Sequence, residues 1–313
     1  MMDPLEEYLE YIRTVRRYSD RTIDIYEGVL RTFSDFVEGP LLESLTPQIL
    51  RSYEVHLLDK KRMSPKTVNQ HLSVLSSFCR YMVKQDRIPS NPVSTLSRPK
   101  VPKRLPEYFR QESLDSYLSS TEYLVNEYEA FSDPKYYEPR LQRLIINILY
   151  CTGIRRAELI SLNIASFDSA RRVMSVHGKG DKMREIPLLP SLCHEICIYL
   201  QSVESTVIEV RSATDPLLVT KKGERLYPVY IDRVVKSCLG DSGVTSRKSP
   251  HVLRHTLATE LLDEGADINS IKEMLGHSSL AATQVYTHTS VDRLKKVYVN
   301  AHPRAKNGGN NGD

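Results

Sequence analysis

Arg98-Pro99-Lys100-Val101-Pro102-Lys103-Arg104-Leu105-Pro106 decides how the rest of the chain is read. Each of its prolines lacks a backbone donor and holds φ near about −65°, so neither a helix nor a central strand can run through it. Residues 99–106 therefore read as an extended linker. Its cations, Lys100, Lys103 and Arg104 after Arg98, are strung along the backbone as a row of phosphates would require. A chain of 313 residues exceeds the common single-domain range of about 100–200, and the linker divides it into two parts that can each bury a core.

Upstream, residues 1–98 read as a small helical domain. Leu5, Tyr8, Leu9 and Ile12 recur at helical spacing, as do Tyr26, Leu30, Phe33 and Val37 before Gly39-Pro40. Thr46-Pro47 and Ser64-Pro65 each place a capping hydroxyl before a proline suited to the first helical position. The second of these starts a helix with Val68, Leu72, Leu75 and Cys79 on one side. Lys60, Lys61, Arg62, Lys66, Arg80 and Lys84 gather positive charge in this domain. A solvated face explains such a cluster as readily as a polyanion does.

Downstream, residues 107–302 are mixed. A helix is expected near Gln111–Leu118. Ser119–Arg140, rich in Tyr, Glu and Ser and interrupted by Asp133-Pro134 as a breaker, reads as a surface excursion. An apolar helix over Leu141–Tyr150 stops at Thr152-Gly153, and another starts at Arg155. Val173–Val176 and Met183–Leu188 flank His177-Gly178-Lys179-Gly180-Asp181 and form a hairpin that holds a lysine between two glycines. Helices return from Leu192, and the polar, glycine-rich residues 303–313 read as a disordered tail. The fold class is mainly α, with a small antiparallel sheet in the second domain.

Composition narrows the function only loosely. The 43 Lys and Arg nearly balance 39 Asp and Glu, so local clustering must reveal any anionic partner. The five cysteines form no CxxC pair; Cys193 and Cys197 around His194 are the nearest approach to a ligand set, and reduced cysteines of a cytosolic protein are the plainer reading. Neither a secretory segment nor a membrane span is expected. There is no GxxxxGK[ST] loop and no acidic cluster at metal-ligand spacing, so neither nucleotide nor metal is expected.

The chemistry lies in short polar stretches beside apolar helix: Thr152-Gly153-Ile154-Arg155-Arg156-Ala157-Glu158-Leu159, His251-Val252-Leu253-Arg254-His255-Thr256, Leu275-Gly276-His277-Ser278 and Val285-Tyr286-Thr287-His288. Each alone is a weak signal. Taken in order with Lys179, the set Arg155, Lys179, His251, Arg254, His277 and Tyr286 resembles the tyrosine recombinase and integrase family. The compact size, the SPKTVNQHLS stretch from Ser64 and the ending from Leu275 to His288 are most similar to the Xer recombinases within it.

The resemblance implies a helical core-binding domain that clamps DNA, with Lys60, Lys61, Arg62, Lys66, Arg80, Lys84, Lys100, Lys103 and Arg104 as candidate contacts. It implies Tyr286 as the nucleophile that joins DNA through a 3′-phosphotyrosyl bond, and Lys179 as the acid for the departing 5′ oxygen. Arg155, Arg254 and His277 would hold the phosphate, His251 would bind it or take the tyrosine proton, and Glu158 would orient the site. These types suit the work, since fixed guanidinium groups clamp a phosphate bidentately and a tyrosine must lose its proton as it attacks. No cofactor is implied. The implied partners are a duplex recombination site, a tetramer formed with itself or a second recombinase on synapsed DNA through a Holliday junction, and a DNA translocase of the division machinery. Such a protein works in the cytoplasm, at the nucleoid, in chromosome-dimer resolution. A mobile-element integrase or invertase, a type IB topoisomerase, and a DNA-binding protein that has lost catalysis stay open. A last helix with Leu294, Val297 and Tyr298 on one side would pack on its own domain or dock in a neighbouring subunit.

Overall fold

The computed structural model describes residues 3–102, 108–126, 133–178, 183–208, 210–239 and 248–276. Lys179, His277, Tyr286, Lys103, Arg104, the last helix and the tail lie outside them. The chain divides into two compact units, Met1–Arg104 and Leu105–Asp313.

The first unit is built on helices α1 (Pro4–Thr14), α2 (Asp20–Phe36), α3 (Pro47–Val55) and α4 (Pro65–Lys84). Three of them begin with a proline behind a side-chain cap, because proline's missing N–H costs nothing in the first turn. Asp3 accepts from the Leu5 N–H, Thr46 from Ile49 and Ser64 from Thr67. Leu5, Tyr8, Leu9 and Ile12 of α1 meet Leu30 and Phe33 of α2 and Val68, Leu72, Leu75 and Cys79 of α4 in one core. Two polar links tie the helices together: the buried Tyr53 hydroxyl lies 2.9 Å from His71 Nδ1, and Tyr8 donates to the half-buried Ser77 Oγ at 2.8 Å. After α3 a π turn, His56–Lys60, and a left-handed Arg62 (φ 50°) carry the chain round to α4. The proline-rich stretch begins against this unit, since Asn69 donates to the Pro99 carbonyl at 2.9 Å and Arg98 to Ser73 at 2.8 Å.

In the second unit α5 (Gln111–Ser120) and α6 (Tyr123–Asn126) precede the long α7 (Pro134–Thr152) and the short α8 (Arg156–Ser161). Strands β1 (Phe167–Asp168), β2 (Val173–His177) and β3 (Met183–Pro187) form an antiparallel sheet in that order, and α9 (Pro190–Thr206), α10 (Pro228–Cys238), α11 (Pro250–Asp263) and α12 (Ile268–Leu275) follow. Helix α7 is the hub, packed on α9, α10 and α11 and buried on nearly every side from Leu141 onward. A helix apolar all round belongs in the middle of a core. Across the hairpin Met174 faces Ile186 and Val176 faces Arg184, so these four side chains share the buried face of the sheet. The two-residue β1 was not legible in the sequence. None of the helices among the described residues is long and apolar enough to cross a membrane.

The structure corrects the reading of Ser119–Arg140 as a surface excursion. Asp133-Pro134 starts α7 instead of breaking the chain: Asp133 accepts from the Lys135 N–H, and the proline occupies the first turn. Pro139 is absorbed inside the helix. Leu124, Tyr137 and Arg140 are buried, and Arg140 is fully enclosed, donating through Nε to the Leu124 carbonyl at 3.1 Å and through Nη1 to Ser202 Oγ at 2.7 Å. The described parts of the segment, 119–126 and 133–140, thus brace α6, α7 and α9 against one another. Arg140→Ala, which leaves these buried acceptors unsatisfied, should destabilise the protein by about 2–4 kcal/mol, whereas Lys135→Ala, at an exposed position of the same helix, should change it by less than about 0.5 kcal/mol. Urea denaturation showing both substitutions neutral would contradict the brace.

Candidate active site

Helix α7 ends at Gly153, which adopts a left-handed conformation (φ 60°) and lets the chain turn sharply into α8. No side chain fits there, because a Cβ on Gly153 would lie 2.5 Å from Leu275 Cδ2 and 3.0 Å from Leu257 Cδ2. The turn delivers Arg155 to the N-cap of α8 and Glu158 one turn on. Glu158 accepts from the Arg155 N–H through Oε2 and from Arg155 Nη1 through Oε1, both at 2.8 Å. Glu158 thus orients Arg155, but that is only half of what it does.

The other half comes from Arg184 of β3, which the sequence reading missed. Its Nη1 and Nη2 donate to the two carboxylate oxygens of Glu158 at 3.0 and 2.7 Å, and both side chains are about nineteen-twentieths buried. Burial alone raises the Glu158 carboxyl, but the bonds from Arg184 and Arg155 outweigh it and hold the group below the usual carboxylate range. The signal in the sequence was the alternation of β3: an arginine in step with Ile186 points into the core and needs an acid there.

Arg254 lies on α11, which packs against both α7 and α12. It donates through Nη1 to the Gly153 carbonyl at 2.6 Å and through Nη2 to the Leu275 carbonyl at 2.5 Å. Three guanidinium groups thereby meet three successive carbonyls at the end of α12: Arg184 Nε to Met274 at 3.1 Å, Arg254 to Leu275, and Arg155 Nη2 to Gly276 at 2.8 Å. These are carbonyls that a helix leaves without intrahelical partners, at the end where its dipole is negative. Gly276, left-handed at φ 66°, brings the backbone within reach, since a Cβ there would lie 3.1 Å from Arg184 Nη1. The next residue along the chain is His277.

His251 is exposed in the first turn of α11, three residues before Arg254. Partial burial, then Arg156, Arg254, His255 and Arg155, push its imidazole below its ordinary value, so it is neutral at neutral pH and able to accept a proton. Burial and then Arg155 lower the Arg254 guanidinium to about 10, still charged at neutral pH. Arg156, the other arginine of the turn, pairs with Asp232 of α10. Arg155, Glu158, His251 and Arg254 are thus gathered in one place.

The candidate DNA contacts of the first unit are not gathered. Lys60, Lys61, Arg62, Lys66, Arg80, Lys84 and Lys100 are all exposed. Lys66 and Lys84, however, stand near opposite ends of α4, about 27 Å apart at about 1.5 Å per residue. Arg80 and Lys84 share a cleft with Arg16 and the tyrosines Tyr11 and Tyr18, whereas Lys60, Lys61 and Arg62 belong to the corner before α4. The single basic region expected from the sequence is two.

The Glu158 cluster makes a pH-dependent contribution to stability. Breaking a buried ion pair costs about 3–5 kcal/mol, the loss expected for Glu158→Gln at neutral pH. A carboxyl with a depressed folded value contributes fully above its unfolded value of about 4.3 and loses that contribution as pH falls through the folded one. The stabilities of wild type and Glu158→Gln, measured by chemical denaturation, should therefore begin to converge as pH falls below about 4.3 and meet once it has passed the depressed folded value. A gap that persists unchanged in acid would mean that Glu158 acts without its charge.

Comparison with known proteins agrees with this geometry. The phage integrase family matches residues 124–293, and the N-terminal SAM-like domain of phage integrases matches residues 5–88. A tyrosine recombinase XerC of Chlorobaculum parvum is 31% identical, the match covering 96% of this chain and 94% of that protein. The fold is similar to the Tn1549 transposon integrase solved with transposon right end DNA, with a TM-score of 0.68 at 19% identity over 94% of this chain and 98% of that one. It is also similar to the XerH site-specific recombinase bound to a palindromic difH substrate, with a TM-score of 0.64 at 22% identity over 97% of this chain and 82% of that one. With both units matched and identity sustained along nearly the whole chain, the protein belongs to the phage integrase family of tyrosine recombinases, DNA strand-transferring enzymes, and within it is most like the Xer group.

Proposed function

We propose that the chain cuts and rejoins a duplex recombination site with Tyr286 as nucleophile, in an Xer-type exchange that resolves chromosome dimers. The observation that carries this reading is the meeting of Arg155 and Arg254, with His251 beside them, at the end of α12 from which the chain runs directly into His277. Tyr286 Oη attacks the scissile phosphorus in line, a phosphotyrosyl bond forms at the 3′ side, and the bond to the 5′ oxygen breaks. Negative charge on the non-bridging oxygens is met by the guanidinium groups of Arg155 and Arg254, which their hydrogen bonds to Glu158 and to the carbonyls of Gly153, Leu275 and Gly276 hold side by side. His251, neutral at neutral pH, takes the tyrosine proton or hydrogen-bonds the phosphate, and His277 binds the same phosphate. Lys179 protonates the departing 5′ oxygen. Each bond broken is stored in a protein–DNA ester, so no external energy source is required.

The first unit would hold the duplex through its exposed cations, Lys60, Lys61, Arg62 and Lys66 at one end of α4 and Arg80 and Lys84 at the other, with Lys100, Lys103 and Arg104 following the backbone beyond it. Phosphate contacts of this kind set position and affinity, not sequence preference. On synapsed sites the protein would act in a tetramer, with itself or with a second recombinase, and exchange strands through a Holliday junction. A DNA translocase of the division machinery is the proposed activating partner, and the cytoplasm is the proposed compartment. The XerC relative, 31% identical along nearly the whole chain, favours this role over mobile-element integration.

The test begins with genomic fragments trapped covalently by the wild-type protein, sequenced and rebuilt as a nicked duplex that cannot religate. Tyr286→Phe should bind this duplex with unchanged affinity and form no covalent adduct, because only the attacking oxygen is gone. An adduct that survives in Tyr286→Phe would overturn the assignment.

A further inference from the structure

We infer that Arg184 is a positioning residue that takes up the charge of Glu158 and so leaves Arg155 its full positive charge for the scissile phosphate. The inference rests on the reading of Arg155 as a phosphate ligand. It starts from a conflict: Glu158 orients Arg155 by two hydrogen bonds of 2.8 Å, yet a carboxylate in contact with a guanidinium makes a neutral pair. A phosphate approaching that pair would meet a dipole in place of a cation, and the attraction would fall accordingly.

Arg184 removes the conflict. Its fork covers both Glu158 oxygens at 3.0 and 2.7 Å, while Arg155 bonds Glu158 Oε1 with one Nη and extends its other Nη to the Gly276 carbonyl at 2.8 Å. Arg155, Arg184 and Arg254 together set three guanidinium groups against one carboxylate, so two positive charges remain in excess at the site. Arg184 is 5% exposed on the buried face of the sheet between Val176 and Ile186, with all three of its nitrogens bonded to Glu158 and the Met274 carbonyl; Arg254 is buried too, at 8%, and the Arg155 side chain is 33% exposed. Arg184 thus neutralises from behind and does not touch DNA.

Its position also spans the three segments that carry the proposed chemistry. Arg184 is the second residue of β3, paired with Val176 of β2, and Lys179 lies in the stretch of chain between those two strands. Its Nε holds the Met274 carbonyl of α12, two residues before Gly276. A lysine in its place would keep the charge but not the two-pronged contact, and a methionine would keep only the volume.

The full-length protein is assayed for single-turnover cleavage of the rebuilt nicked duplex, with its dissociation constant measured by mobility shift. Arg184→Met should slow cleavage by about 10²-fold with DNA affinity within about twofold of wild type, and Arg184→Lys should recover most of the rate. On a Glu158→Gln background there is no carboxylate to neutralise, so adding Arg184→Met should cost less than about threefold. This double variant removes the Glu158–Arg184 pair as a unit and leaves no carboxylate behind, which keeps the test valid if Arg184→Met alone does not fold. Arg184→Lys as slow as Arg184→Met, or an undiminished loss in the Glu158→Gln background, would show that Arg184 is only a tether. Arg155→Ala in the same assay separates the two levels: near-normal cleavage there would overturn the phosphate-ligand reading itself, whatever Arg184 does.

Discussion

A single carboxylate, Glu158, holds the catalytic unit's polar centre together. Buried among apolar neighbours, it would be costly as a lone charge, and it is tolerable only because two guanidinium groups and a backbone N–H converge on its two oxygens. Those same guanidinium groups, with Arg254, spend their remaining reach on the last carbonyls of α12. Helix α8, strand β3, helix α11 and the end of α12 are thereby fixed to one another through hydrogen bonds to charged groups, which are stronger than neutral ones.

The rest of the unit makes that convergence possible. Helix α7 supplies the apolar hub, and its glycine stop turns Arg155 back toward the core. Gly276 performs the matching turn at the end of α12, where any side chain would crowd Arg184. The sheet is small, but its alternation is what drives Arg184 inward. The cluster so prepared has an excess of fixed positive charge and a neutral imidazole nearby, a combination suited to phosphoryl transfer by an oxygen nucleophile.

Much of this was legible in the sequence because local chemistry dictates it. The caps at Thr46 and Ser64, the periodic apolar residues of α1 and α4, and the hairpin strands on either side of Lys179 all follow from spacing and backbone preference alone. The ordered motif residues were legible through family resemblance, and the structure gathers the three that it describes, Arg155, His251 and Arg254. What escaped depends on contacts distant in sequence. Asp133-Pro134 has the same form as the starts of α3 and α4, but the polar residues after it hid a helix whose arginine is buried by Leu124 and Ser202. Arg184 gives no local hint of its acid, which lies 26 residues earlier on another element. The cations of α4 look like one cluster in sequence because a list of residues does not show the length of the helix that separates them.

The tie among these segments is open to direct measurement by amide hydrogen exchange, which reports local opening free energies. In Glu158→Gln at neutral pH, protection should fall together in α8, in β3 around Arg184 and in the last turn of α12, while α9 and the first unit stay as protected as in the wild type. A loss of protection confined to α8 would contradict the claim that one buried carboxylate anchors all three.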